Sequence, residues 1–216
     1  LVGNHIIFSN ISVGATENAI MAAVLAKGET KISNAAREPE ISDLCNFLLS
    51  LGARIEGGGT KTIHIQGVSN LGSTRYSILF DRIEACTYIV AGAITNSNVV
   101  INLPNSNSDH LKSFLLVMKK MDLNFKVIGN KVKVFKGQIL SPIKVKTEEY
   151  PGFPTDMQAQ LMTLMCLSRG TSEITENIFE NRFMHVPELN RLGADIKING
   201  NRAVIEGNRK LIGAEV

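Results

Sequence analysis

The sequence has few cysteines, no long apolar run and no dense block of charge, and each shortage removes a class of protein. Cys45, Cys86 and Cys166 are far apart and odd in number, with no CxxC spacing and no cysteine and histidine cluster. That pattern argues against a disulfide framework or a zinc site and fits a reducing cytoplasm. No apolar stretch approaches the roughly 20 residues that cross a bilayer, so no membrane segment is expected. The opening Leu1-Val2-Gly3-Asn4-His5 lacks the charged and apolar regions of a signal peptide, and a leucine in first place leads us to expect missing upstream sequence. The net charge is only +3 with Lys and Arg scattered, which argues against a nucleic-acid surface built on charge and tolerates an anionic small molecule. What remains is an ordinary globular composition, 44% hydrophobic and 20% charged. Its 216 residues suffice to bury an apolar core in one large or two small domains.

What the sequence does contain is a repeat. Three segments run in one order: an apolar helix, a Gly or Asn stop, a short strand, an amphipathic helix, and a hairpin closed by a glycine. The closing residues Gly67, Gly137 and Gly207 follow one another at intervals of 70. The first helices are expected at 17–27, 83–95 and 157–169; Ala, Met, Leu and Ile on more than one face mark them as buried. They stop at Gly28, Asn96 and Gly170, residue types that tolerate a left-handed helix end. The second helices carry one-sided stripes, through Ile41, Leu44 and Leu48, through Leu111, Leu115 and Met118, and through Val186, Leu189 and Leu192. Hairpins are expected at 53–56 with 62–66, 125–128 with 131–135, and 195–198 with 202–206, across Gly-rich or Asn-Gly turns that accept positive φ. A strand precedes each unit, at 5–8, 76–80 and 143–146.

The unit therefore reads β-α-β-α-β-β, an α/β fold. Helices buried on more than one face need neighbours to cover them, so packed units imply helices inside and sheets outside. The same pattern also suits a three-unit α/β repeat scaffold used only for binding.

Three loops are candidates for chemistry. In Phe153-Pro154-Thr155-Asp156-Met157-Gln158-Ala159-Gln160, Thr155 and Gln158 have the spacing of a capping box, which would place Asp156 in the first helical turn. Asp156 is then either a helix-start acid that complements the dipole or a general base for a hydroxyl. Ser12-Val13-Gly14-Ala15-Thr16, ahead of the first buried helix, is either a cap or a set of small residues that presents amides and a hydroxyl to a phosphate. Glu180-Asn181-Arg182-Phe183-Met184-His185 is either a solvated loop with surface ion pairs or a cleft organised by Arg182 with Glu180. His185 and His110 read as capping or surface histidines, since neither has a local partner. The acids of Asp81-Arg82-Ile83-Glu84 read as dipole partners of a helix start.

Together these segments resemble one family, the UDP-N-acetylglucosamine 1-carboxyvinyltransferases. The resemblance is carried by Asn34-Ala35-Ala36-Arg37-Glu38-Pro39-Glu40-Ile41, the Leu51-Gly52-Ala53 turn, Asp81-Arg82-Ile83-Glu84, and the long runs at 153–160 and 179–187. It extends along essentially the whole chain and is weakest in the second unit, at 102–112. It implies six β-α-β-α-β-β units in two domains of three, with the active site in the cleft between them. This chain would be the C-terminal half or somewhat more. Residues 1–79 would be the last repeat unit of one domain, and 80–216 two units of the other.

The resemblance also implies an activity: transfer of the enolpyruvyl group of phosphoenolpyruvate to the 3-hydroxyl of UDP-N-acetylglucosamine in the cytoplasm, without cofactor or metal. Asp156 matches the carboxylate that takes the hydroxyl proton. Ser12 and Val13 match the loop at the uridine diphosphate, and Ile178 a contact to the sugar nucleotide. Arg182 and Glu180 belong to the matching loop beside the cleft. The family's N-terminal Lys-Asn pair, its mobile loop with an acid cysteine and an arginine, and its C-terminal phosphoenolpyruvate-binding arginine have no counterpart here. Cys45, Cys86 and Cys166 all fall in predicted helices. The chain is thus expected to need the missing half of the same enzyme. The competing expectation is a non-catalytic nucleotide-sugar-binding repeat module.

Overall fold

The computed structural model describes residues 1–104 and 108–215. The chain divides into two compact units, Leu1–Leu79 and Phe80–Val216.

The first unit runs β1 (His5–Ile7), α1 (Val13–Ala23), β2 (Glu29–Ser33), α2 (Pro39–Ser50), β3 (Arg54–Glu56) and β4 (Thr62–Gln66). Its sheet has the order β1-β2-β4-β3, with β1 parallel to β2 and the remaining pairs antiparallel. Strand alternation turns Thr30, Ile32, Ile63 and Ile65 inward, and the register sets Thr30 opposite Ile65 and Ile32 opposite Ile63. The two helices cover that face, with Ile20 from α1 and Ile41 and Leu48 from α2 in the same core. Each fully buried isoleucine contributes roughly 1.5–3 kcal/mol of transfer free energy.

The second unit holds two more copies. The first comprises α3 (Arg82–Ile94), β5 (Val99–Asn102), a 3-10 turn at Ser108–Leu111, α4 (Lys112–Lys120), β6 (Phe125–Ile128) and β7 (Lys131–Val134). Of the divergent stretch 102–112, residues 105–107 lie outside the described residues. The second copy comprises β8 (Lys144–Lys146), a 3-10 turn at Thr155–Met157, α5 (Gln158–Met165), β9 (Thr171–Thr175), α6 (Val186–Arg191), β10 (Asp195–Asn199) and β11 (Arg202–Glu206). Its sheet, β10-β11-β9-β8 with β8 parallel to β9, repeats the topology of the first unit. The middle sheet is β5-β7-β6, all antiparallel. Helix α3 lies on the middle sheet, α5 on the last one, and the two helices pack against each other. Within this unit the helices are therefore inside and the sheets outside, sharing a core that includes Ile89, Met157, Leu161 and Met165.

Three local expectations need correction. No strand forms at 76–80; the Tyr76 hydroxyl donates to Asp43 Oδ1 at 2.8 Å, the Leu79 N–H donates to Asp43 Oδ2, and the Tyr76 ring packs edge-on to Phe47. The segment's polar groups are satisfied by α2 and not by a neighbouring strand, which leaves the middle sheet one strand short. The first buried helix begins at Val13, not at residue 17, because Ser12 is its cap and accepts from the Ala15 N–H. The last buried helix ends at Met165, not near 169, since the carbonyls of Cys166 and Ser168 accept from the N–H groups of Arg209 and Asn208.

The closing glycines explain the repeat. The N–H of Gly67 donates to the Gly28 carbonyl and that of Gly207 to the Gly170 carbonyl. The N–H of Gly137 donates instead to the Asn96 side chain at 2.6 Å. Each closing glycine therefore bonds to the residue at which the pattern puts the stop of the first helix; Asn96 does follow the end of α3, whereas α1 ends at Ala23 and α5 at Met165, five residues before Gly28 and Gly170. A Cβ on Gly67 would lie 1.6 Å from the Ala26 carbonyl oxygen, and one on Gly207 2.0 Å from that of Ser168, so no other residue fits at either place.

Candidate functional site

Pro154, extended at φ −71 and ψ 134, leads into the turn that carries Asp156. The expected capping box is not formed. The Thr155 hydroxyl and the Gln158 amide both donate to one oxygen of Glu176, Oε2, at 2.9 and 3.2 Å. Glu176 is 3% exposed, and a buried acceptor of that strength draws both side chains away from the helix start. As a result the first turn is 3-10, and α5 begins only at Gln158.

Asp156 is left on the outer side of this turn. Its side chain is 52% exposed, and its Oδ1 accepts from Arg182 Nη2 at 2.6 Å. Arg182 is 35% exposed, and its guanidinium carbon sits 4.9 Å from the centre of the Phe179 ring, a cation–π stack that limits the side chain's freedom. Two residues 26 apart in sequence are thus brought together. Arg182 pairs with Asp156, not with Glu180, which lies exposed in the turn before α6. Ile178 is half-buried, and its N–H donates to Glu176 Oε1 at 2.9 Å. A cavity of about 530 Å³ opens over this loop, lined by Glu176, Ile178, Phe179, Glu180, Arg182 and Asn201 among others.

Ser12 and Val13 belong to the first unit. Ser12 is exposed and spends its hydroxyl as the cap of α1, while Val13, in the first helical turn, packs against that unit's core. Thr16 is buried; it donates to the Ser12 carbonyl at 2.8 Å and accepts from the Ala36 N–H at 3.0 Å, which ties the helix start to the segment before α2. In the same unit burial raises the Glu17 carboxyl above its ordinary range, and the charges of Glu40 and Glu38 add to the effect.

Glu176 is the residue that sequence reasoning missed. A signal existed. Along β9 the inward residues are Ser172 and Ile174, and the period of two continues to Glu176, an acid at a core-facing position. Burial pushes its carboxyl up, but donors from Ile178, Thr147, Thr155 and Phe179 outweigh burial and leave it below the usual carboxylate range.

The two histidines also depart from expectation. His185 Nε2 and His110 Nδ1 are buried atoms without hydrogen-bond partners, and the His185 side chain does not cap α6. Burial, then the charge of Arg182, lowers the His185 pKa. All three cysteines are buried and free, and burial pushes Cys45 and Cys166 up to about 11 and Cys86 higher still. Among the described residues no group of His, Cys, Asp and Glu is placed to hold a metal ion, and no helix is long and apolar enough to cross a membrane.

Comparison with known proteins places this geometry in context. The family model described as EPSP synthase (3-phosphoshikimate 1-carboxyvinyltransferase) matches residues 1–216. A UDP-N-acetylglucosamine 1-carboxyvinyltransferase of Azorhizobium caulinodans is 52% identical over 217 residues, covering 100% of this chain and 50% of that protein. The enzyme of the same name from Rickettsia canadensis is 52% identical over 218 residues, covering 100% of this chain and 51% of the relative. The chain spans about half the length of the curated relatives it matches. Among solved structures, the enolpyruvyl transferase NikO from Streptomyces tendae superposes with a TM-score of 0.83 at 24% identity, over 92% of this chain and 47% of that one, a likeness of fold.

Proposed function

The chain belongs to the EPSP synthase family, and we propose that it forms about half of an enzyme that transfers the enolpyruvyl group of phosphoenolpyruvate to the 3-hydroxyl of UDP-N-acetylglucosamine. The choice of the sugar-nucleotide branch rests on relatives of that name at about 50% identity along the whole chain. That reaction commits material to peptidoglycan, and so to cell-wall growth, cell shape and division, and we assign it to the cytoplasm. The break between Leu1–Leu79 and Phe80–Val216 supports reading the first as the last repeat unit of one catalytic domain and the second as two units of the other.

The observation that carries the reading is the setting of Asp156. Its half-exposed carboxylate is held by Arg182 beside the loop that lines the cavity, so it is fixed in direction yet open to a substrate. A general base must lie within hydrogen-bond reach of the proton it takes, and the open side of this fixed carboxylate offers that. Asp156 takes the proton of the sugar hydroxyl as its oxygen attacks C2 of phosphoenolpyruvate, whose methylene carbon gains a proton from the other half of the enzyme. The tetrahedral intermediate then loses phosphate and a methyl proton to give the enol ether. Ser12 and Val13 contact the uridine diphosphate, Ile178 the sugar nucleotide, and Arg182 and Glu180 border the cleft. The test is phosphate release by the full-length protein with both substrates present. Asp156→Asn is expected to suppress it, while a protein that binds UDP-N-acetylglucosamine and never releases phosphate would instead be a binding module.

A further inference from the structure

We propose that Glu176 is a positioning residue for this site: its two carboxylate oxygens bind, one each, the turn that carries Asp156 and the loop that carries Ile178 and Arg182, and so hold the two as one piece. The inference rests on the reading of Asp156 as the base.

Glu176 follows β9 directly. Its Oε2 accepts from Thr155 Oγ1 at 2.9 Å and from Gln158 Nε2 at 3.2 Å, the residues on either side of the pair Asp156 and Met157. Its Oε1 accepts from Thr147 Oγ1 at 2.8 Å and from the N–H groups of Ile178 and Phe179 at 2.9 and 3.1 Å. The backbone of Glu176 is anchored as well, donating to the Asn201 carbonyl at 2.8 Å and accepting from Asn201 Nδ2 at 3.1 Å. Its described side-chain partners are all neutral donors. A carboxylate removed from water without a cation is strongly disfavoured unless hydrogen bonds replace its hydration, and five donors do so here.

For stability alone an apolar side chain could fill such a place. What an apolar side chain cannot do is gather donors from three separate segments at one point. The contacts close a ring: Asp156 follows Thr155, Thr155 bonds Glu176, Glu176 bonds the Phe179 N–H, the Phe179 ring carries Arg182, and Arg182 returns to Asp156. Cutting the ring at Glu176 frees the turn and the loop to shift against each other, and a displacement of about 1 Å near reacting groups costs roughly 10²-fold in rate.

Position and charge can be separated. Glu176→Gln keeps an acceptor for Ile178 and Phe179. Its new amide faces the Thr155 hydroxyl, which can rotate to accept, and Gln158, whose Oε1 has no hydrogen-bond partner and can be turned to accept. Glu176→Asp keeps the charge but withdraws both oxygens by one methylene. If Glu176 acts by position, the Gln variant of the full-length enzyme holds kcat within about fivefold of the parent. The Asp and Ala variants lose roughly 10- to 100-fold in kcat, with a smaller change in KM. In an Asp156→Asn background Glu176→Ala should cost little more, because its effect runs through Asp156. Hydrogen exchange at the Ile178 and Phe179 amides should quicken in the Ala and Asp variants and not in the Gln variant. A Gln variant as impaired as the Ala variant, equal losses with and without Asp156, or unchanged exchange in a folded Asp variant would each overturn the proposal. If Asp156→Asn itself leaves turnover intact, the base assignment falls, and the exchange at Ile178 and Phe179 alone decides whether Glu176 holds the loop.

Discussion

Asp156 and Glu176 are two acids separated by environment. Asp156 is half in water and paired with Arg182, whereas Glu176 is buried and held by neutral donors. For Asp156→Asn in the full-length enzyme we expect the fold to persist and kcat to fall by roughly 10²- to 10⁴-fold, the usual contribution of a general base. If Asp156 serves only the helix start and its ion pair, the same change lowers stability by roughly 0.3–1 kcal/mol and leaves turnover nearly intact. Measuring kcat and a denaturant midpoint on one preparation separates the two. Glu176 makes a prediction in pH. Its folded carboxyl lies below the ordinary value of 4.5, so below that value the unfolded chain binds more protons than the folded one. The stabilisation is complete above the unfolded pKa and is lost as pH falls through the lower folded pKa. Denaturant midpoints of the second unit should therefore drop across that acid window, and the drop should be shallower in Glu176→Gln.

At the scale of the element, one bond recurs from copy to copy: the closing glycine donates to a Gly or Asn between the first helix and the strand that follows it. Where the acceptor is a carbonyl, at Gly67 and Gly207, the chains approach too closely for a Cβ; where it is the longer Asn96 side chain, Gly137 has open space and a φ of +88. The spacing of 70 thus preserves a hydrogen bond and not a single backbone shape. Gly207→Ala should lower stability by roughly 1–3 kcal/mol, the range for forced overpacking, because the clash is with backbone that cannot turn aside. Gly14→Ala is the control. It lies within α1 with nothing near the added methyl and should stabilise by about 0.4–1 kcal/mol through the unfolded chain. Urea midpoints of the two variants should move in opposite directions.

At the scale of the molecule the two units differ in completeness. In the second, α3 and α5 cover each other between two sheets. In the first, a single copy has no second helical layer of its own, and α1 with its following turn leaves Met21 and Leu25 exposed at 47% and 54%. On the proposed allocation to two domains, those side chains face repeat units that the other half supplies. We therefore expect the first unit to be the less protected part of this chain in isolation. Hydrogen exchange should be fast across residues 17–51 and slow down with protein concentration if a second copy covers α1. Uniformly slow exchange there, independent of concentration, would contradict this.

The sequence alone determined the repeat, the α/β class, the hairpins and the identity of the loops, because periodicity, Gly and Asn stops and Asn-Gly turns are local signals that survive in one dimension. It also carried the family resemblance, and with it Asp156, Ser12, Val13, Ile178, Arg182 and Glu180 as candidates. Only the tertiary structure decided what those residues touch. The box of Thr155 with Gln158 obeyed its spacing and failed, because a buried carboxylate 18 to 21 residues away competes for both side chains. The strand at 76–80 had the pattern and lacked a neighbour, since Asp43 took its polar groups. Arg182 chose Asp156 over nearby Glu180 because the turn before α6 aims it there over Phe179. Local pattern sets which conformations a segment prefers; which partner satisfies a polar group depends on what the fold places within 3 Å of it, and that information is not local.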